Sequence, residues 1–411
     1  MVRKYKTMDM KKKLRKSFQN YEGGLFSTVE KADVGDSYQE LGKQGVDLMG
    51  WADPFTPDFC LPPHVMNATQ KALESNLSTH YTAPIGNDKL KVEIAKKLYK
   101  KNKLSVNPQR NILITPGSDS GLYYAMLACL NENDSVLIPT PSYPNNLQNC
   151  EIIGAKAIPV QLKVENDFQI DIADFESVVT NKTKMVVLTH PNNPTTTVFN
   201  QKSLQDLCNF VMKHDLFLVC DQAFEDYTFE NQMITPATFQ GMWERTITVF
   251  SISKGMGFSG YRVGYIVTND TIMDALYAAT VCVLGATNTI AQKAAIAAFE
   301  NMSFMKEFEE AFDIRRKKAY EILNSIPNVS MKMPESGFLC WVNVSNLGSS
   351  EEIVSYLIKE AKVCVNDGVN YGPGGLGYIR IVLGVYRDTQ KIINALERIK
   401  KALIKMQERR V

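Results

Sequence analysis

Lys254 stands in Ser251-Ile252-Ser253-Lys254-Gly255, directly after the apolar run Thr246–Phe250, and Arg262 follows in Gly260-Tyr261-Arg262-Val263-Gly264. An amine just past a buried strand, flanked by hydroxyls and glycines, suits a nucleophile. Desolvation there lowers an ammonium's pKa and frees its lone pair for attack on a carbonyl. A short return strand would bring Arg262 back to the same pocket, where a fixed guanidinium is a good phosphate clamp. A carbonyl-bearing cofactor with a phosphate arm would use both groups, and pyridoxal phosphate has that shape.

Four further polar residues fall at equivalent places. Ser118 follows the apolar run Asn111–Thr115, Tyr143 follows Ser135–Ile138, Asn193 follows Lys184–Thr189, and Asp221 ends Leu216–Cys220. With Lys254 they mark the carboxyl ends of five expected strands, where open α/β sheets place ligands. Each also has a plain structural reading. Gly117-Ser118-Asp119 opens a helix over Leu122–Leu130 and is either an N-cap or a rest for a phosphate on free N–H groups. The charge of Asp119 would repel that phosphate, so its backbone N–H is expected to contribute while its carboxylate points away or pairs with a base. Asp221 either caps the next turn or pairs with a pyridinium nitrogen, keeping the ring able to absorb electrons. Asn193, in Pro191-Asn192-Asn193-Pro194-Thr195, is turn chemistry or an amide for the cofactor's ring oxygen. Tyr143 covers core or stacks on the pyridine. Arg380 interrupts the apolar strand Tyr378–Leu383. A buried guanidinium needs an anionic partner, either an internal Asp or Glu or a substrate carboxylate held bidentately.

The elements that must position these groups alternate from about residue 85. Apolar runs of strand length are separated by helical periods such as Asp88–Lys101 and Ser203–His214, and the runs are apolar throughout rather than alternating. This predicts a mostly parallel sheet covered by helices on both faces. Beyond residue 290 come one or two long charged helices to Asn324, shorter strands at Gly337–Val344 and Tyr378–Leu383, and helices near 350–361 and 388–405, the pattern of a smaller α+β domain. The expected division is residues 1–60 as an arm that packs on the small domain, 61–300 as the large domain and 301–411 as the small one.

Bulk properties exclude several function classes. The 46 basic and 44 acidic residues nearly cancel, so nothing global points to nucleic acid or to a membrane surface. No apolar run reaches the ~18 residues of a membrane-spanning helix. The eight cysteines form no Cys-x-x-Cys pair and mostly sit in apolar runs, which fits a reducing, cytoplasmic setting. Four histidines without ligand spacing give no metal site. Met1–Lys16 is lysine-rich and lacks the apolar stretch of a secretory signal; a solvated arm or first helix is the expectation.

From about Gly50 to Val385 the chain resembles the class I/II aminotransferases typified by aspartate aminotransferase, within the fold-type I pyridoxal-phosphate enzymes. Ser251-x-Ser-Lys254-x-x-Gly257-x-x-Gly260-x-Arg262-x-Gly264 matches that family's lysine motif. Asn193-Pro194-Thr195 resembles its Asn-Pro-Thr-Gly turn, Asp221-x-Ala223 its pyridinium segment, Gly117-Ser118 its phosphate cup, and Tyr81-x-x-x-x-Gly86 its cross-subunit phosphate tyrosine. The resemblance implies a seven-stranded large sheet, a homodimer with shared sites, and a ping-pong transfer from an L-amino acid to a 2-oxo acid through an imine on Lys254. It further implies that Arg380 and the backbone of Gly50 hold the substrate's α-carboxylate. The same constellation supports C–S lyase and aminocyclopropane-carboxylate synthase chemistry. A cofactor-binding transcription regulator would carry a longer N-terminal module, and no helix-turn-helix pattern precedes Gly50. Phe224 stands where the family has a tyrosine, which predicts a raised imine pKa unless Tyr123, Tyr124 or Tyr227 substitutes. Thr196 replaces the turn's glycine, so that turn is expected to differ in shape. The stretch before Asn288 carries no arginine, which argues against dicarboxylic substrates and for neutral or aromatic ones.

Overall fold

The computed structural model describes residues 10–15 and 36–409; most of the Met1–Lys16 arm lies outside them. Seven strands build the large sheet: β1 Ile112–Thr115, β2 Ser135–Thr140, β3 Lys156–Gln161, β4 Thr183–Thr189, β5 Phe217–Asp221, β6 Thr246–Ser251 and β7 Gly264–Val267. Their order is β1-β7-β6-β5-β4-β2-β3. Only β7 runs antiparallel to its neighbours. The interior strands are apolar on both faces, and apolar clusters lie on each side of the sheet. This is why their sequences show no alternation. Each fully buried Val, Leu or Ile contributes roughly 1.5–3 kcal/mol, so the sheet is a rigid base for whatever its strand ends carry.

The antiparallel β7 is the return strand that the sequence suggested. It pairs with β6 in the register Ser251↔Gly264, so the excursion of residues 252–263 that carries Lys254 and Arg262 starts and finishes at one point on the sheet. Gly264 is packed so closely that a Cβ there would lie 2.5 Å from the carbonyl carbon of Gly117 and 2.7 Å from the Ser118 nitrogen. The lysine loop and the turn that opens helix Ser118–Cys129 are therefore locked to each other.

A second, four-stranded antiparallel sheet is built from β8 Ser330–Met331, β9 Leu339–Asn343, β10 Asn366–Asp367 and β11 Tyr378–Val382, in the order β10-β11-β9-β8. Helices Met305–Asn324 and Thr389–Glu408 pack against each other beside it. Early residues join this core: Asp47–Leu48 pair in parallel with Val363–Cys364, and Met49, Ala52 and Phe55 share an apolar cluster with Phe338, Val382 and Leu383. Backbone bonds from Val382 N to Met49 O (2.8 Å), Phe55 N to Gly384 O (2.7 Å) and Tyr386 N to Thr56 O (3.1 Å) tie the two stretches together. One side chain organises the later stretch. Arg315 is fully buried; its guanidinium donates to the carbonyls of Leu383, Val385, Tyr386 and Arg387 and to Thr389 Oγ1, at 2.8–3.1 Å. Among the described residues no helix is long and apolar enough to cross a membrane.

Candidate active site

A cavity of about 480 Å³ opens where the carboxyl ends of β2, β4, β5 and β6 meet residues 51–53 and the small sheet. It brings together Ser118, Asp119, Tyr143, Asn193, Asp221, Lys254, Arg262 and Arg380, which are dispersed over more than 260 positions of sequence.

Lys254 leaves β6 through the turn after Ser251. Its Nζ donates to the carbonyl of Ala52 and lies 5.9 Å from the centroid of the Phe224 ring. The backbone behind it is braced by the segment that follows Asp221. Tyr227 donates its hydroxyl to the Gly255 carbonyl, Asp226 pairs with Lys101 at 2.7 Å, and Glu225 pairs with Lys97 in the interior. Asp221, at the end of the neighbouring parallel strand β5, is buried and accepts from the Ala223 N–H at 3.0 Å. Burial pushes its carboxyl up to about 7, and nearby Asp119 adds to that, while the Ala223 bond and the Lys254 charge pull it down. A cation brought into the cavity would restore the ionised form.

At the start of helix Ser118–Cys129, Gly117 has φ +82°. A side chain there would put its Cβ 2.4 Å from Arg262 Nη2. Glycine thus meets both the left-handed backbone and the close guanidinium. Arg262 is half-exposed and its Nη2 lies 3.8 Å from Asp119 Oδ2. The Asp119 carboxylate also accepts from Tyr143 Oη at 2.8 Å and Asn145 Nδ2 at 2.9 Å. The carboxylate is therefore held by donors, including a basic group, and the helix's first N–H groups stand beside a guanidinium.

Arg380 is buried at mid-strand in β11. Its Nη2 donates to Gly50 O and Asn366 Oδ1, both at 2.7 Å, its Nε to Asn366 Oδ1 at 3.1 Å and its Nη1 to Asn193 Oδ1 at 3.1 Å. Gly50 and Asn193 thus meet Arg380 directly, and these acceptors are uncharged.

Other expected residues sit elsewhere. Ser251 lies outside the cavity lining: its Oγ accepts from Ser253 N–H at 3.1 Å, and Ser253 lines the cavity in its place. Tyr81 is fully exposed and borders a separate surface cavity with Thr82, Asn288 and Thr289. None of Tyr123, Tyr124 and Tyr227 lines the main cavity, whereas Phe224 does. Thr196 stands in the turn with φ +65°, a left-handed backbone that is strained for a β-branched residue. Trp51, Asp53, Asn366, Asn370 and Tyr371 also line the cavity. Only a polar residue in the apolar run 363–366 signals Asn366 in the sequence, and its meaning requires the register of β10 on β11.

A model of the family "Aminotransferase class I and II" matches residues 53–399. The chain belongs to that family. Among curated relatives, this aminotransferase is 30% identical to the aspartate aminotransferase of Musicola paradisiaca, over 84% of the chain and 87% of the relative. It is also 30% identical to aromatic-amino-acid aminotransferase 2 of Thermococcus litoralis, over 88% and 92%. Among solved structures it superposes on the aromatic aminotransferase of Pyrococcus horikoshii with TM-score 0.84 and 27% identity, covering 90% of the chain and 99% of that structure. The aspartate aminotransferase of Thermus thermophilus with maleate gives TM-score 0.84 and 26% identity, covering 95% and 99%. The aminotransferase is a fold-type I enzyme dependent on pyridoxal phosphate. These relatives are transferases, so the C–S lyase and aminocyclopropane-carboxylate synthase readings are not favoured. The residues present fit the cofactor. A buried carboxyl raised by burial awaits a cationic ring nitrogen, and the side-chain-free Gly117 leaves room beside Arg262 for a phosphate at a helix N-terminus.

Proposed function

We propose that this aminotransferase takes the amino group of a neutral or aromatic L-amino acid and delivers it to a 2-oxo acid, with Lys254 as covalent anchor and general base. One observation carries the reading: Lys254 and Asp221 end adjacent strands in the same cavity as Arg262 beside Gly117 and Arg380 beside Asn193. Pyridoxal phosphate supplies the carbonyl carbon that receives the amino group and a cationic ring that draws electrons from the substrate's Cα. Ser118, the backbone N–H groups of its helix and Arg262 hold the phosphate. Asp221 would hold the ring nitrogen's proton, Tyr143 would cover the ring, and Asn193 would bond the ring oxygen. Arg380 grips the α-carboxylate, which orients the Cα–H bond toward Lys254. As a free amine, Lys254 Nζ would take the Cα proton and hold it as an ammonium, a role that contributes roughly 10²–10⁴-fold.

The side-chain preference rests on the lining. Trp51, Tyr143, Phe224 and Tyr371 give aromatic walls, and Lys254, Arg262 and Arg380 are its only bases among the described residues. Single-turnover reactions of the holoenzyme with individual amino acids, followed by the cofactor's absorbance, test it. Aromatic or neutral donors should exceed L-aspartate in rate constant over KM, and L-aspartate as the fastest donor sinks the reading. We further place the enzyme in the cytoplasm as a homodimer. None of its eight cysteines is disulfide-bonded, and the exposed Leu73, Leu77 and Tyr81 form an apolar stretch suited to a second copy. Sedimentation at micromolar concentration should show a dimer.

A further inference from the structure

We propose that Asn366 is a positioning residue for substrate carboxylates: it fixes the plane of Arg380 without neutralising its charge. The inference rests on the reading of Arg380 as the carboxylate grip. Asn366 lies directly across the β10–β11 ladder from Arg380, with Trp341 in the matching position on β9. It is buried, and its Oδ1 receives Nε and Nη2 of the guanidinium, at 3.1 and 2.7 Å, and Tyr371 Oη at 3.3 Å. Guanidinium nitrogens only donate, so the amide must turn its oxygen toward them. The ring of Tyr371 lies 5.0 Å from the guanidinium carbon, and Trp341 meets that ring edge-on at 5.7 Å. One amide oxygen thus takes the Nε–Nη2 side, while Asn193 takes Nη1 and Gly50 O shares Nη2.

The residue type at 366 follows from this geometry. An aspartate of the same shape would form an internal charge-assisted pair on that side. The substrate would then meet a guanidinium already neutralised. An aliphatic residue would remove the acceptor shared by Nε and Nη2 and one acceptor of the Tyr371 hydroxyl. An amide holds the group in place without adding a negative charge beside it. Asn366 therefore acts on both half-reactions, because the amino acid and the 2-oxo acid each present a carboxylate.

The test compares N366D, N366S and Y371F with R380A as the reference, all as holoenzymes. KM and kcat are measured for both half-reactions. The Kd of an α-methyl amino acid, which has no Cα proton to lose, is read from the cofactor's absorbance. N366D should raise both KM values and that Kd by about 30-fold or more, the scale of a charged hydrogen bond. Its kcat should change far less, and its affinity for pyridoxal phosphate should be unchanged. Y371F, which keeps the ring over Arg380 and loses the hydroxyl, should give a few-fold rise in the same constants and serves if N366D fails to fold. If R380A raises KM while N366S and Y371F leave it within twofold, the role of Asn366 is wrong and that of Arg380 stands. If R380A itself leaves KM unchanged, both are wrong.

Discussion

Lys254 and Asp221 stand where strands of the large sheet stop, whereas Arg380 stands in the middle of a strand of the small sheet. The difference governs how each charge is tolerated. At the rim, Asp221 is met by its own turn, through the N–H two residues on, while Lys254 reaches the carbonyl of Ala52, in the same early segment that meets Arg380. A mid-strand charge must be satisfied across the ladder and by distant chain, as Arg380 is by Asn366, Asn193 and Gly50. The rim supplies reactive groups on a rigid base. The small sheet supplies a recognition group whose cost of burial is met by amides and a carbonyl.

The largest effect that could break this contrast is at the rim. Lys254→Ala should lower single-turnover rates by about 10⁴-fold and abolish the covalently held cofactor seen after borohydride reduction; a retained adduct would place the reactive amine elsewhere. Next come two matched substitutions. Arg380→Lys should raise KM for both acids by about 100-fold, because an ammonium cannot reproduce three directed contacts in a buried site. Arg262→Lys, at a half-exposed group beside a phosphate, should weaken cofactor binding only several-fold. Equal losses would show that burial is not what separates the two regions.

A separate effect appears in the enzyme freed of cofactor. The Asp221 carboxyl rises from its ordinary 3.8 to about 7 in the folded protein, so the folded state holds an extra proton between those values. The stability this group gives is complete below pH 4 and is lost as pH rises through 7. Cofactor-free Asp221→Asn should therefore match the parent near pH 4 and exceed it at pH 8, by at most about 4 kcal/mol in thermal or urea unfolding. A parent that is the more stable one at pH 8 would mean the carboxylate is already paired. The smallest effect belongs to the turn where the regions touch, since Ser336 Oγ donates to Thr196 O at 2.8 Å. Thr196→Gly relieves a left-handed backbone and removes a buried side chain, and should change stability by no more than about 1 kcal/mol.

All seven strands of the large sheet were readable from composition: six are largely buried and leave an apolar run between turns, and the more exposed edge strand Lys156–Gln161 keeps the short run Ala157-Ile158-Pro159-Val160. Several helices were not. Pro144–Ile153 begins Pro-Asn-Asn and has no apolar stripe, Asp270–Val283 is apolar nearly all round, and Pro63–Leu73 mixes the two. Neither was the two-residue ladder of Asp47–Leu48 with Val363–Cys364, which is too short to leave a pattern. The site divides in the same way. Ser118, Tyr143, Asn193, Asp221 and Lys254 announce themselves by following strands. Arg380 shows only as an anomaly in an apolar run. Trp51, Asp53, Asn370 and Tyr371 reach the cavity because chain segments more than 300 residues apart are bonded together, and no local pattern encodes that.

The four carbonyls gathered on Arg315 resemble the oxygen shell that many loops offer to a bound calcium ion. Here the cation arrives on the chain itself, and the backbone it gathers is the stretch whose Gly384 and Tyr386 bond the segment of Phe55 and Thr56 that leads to the cavity wall.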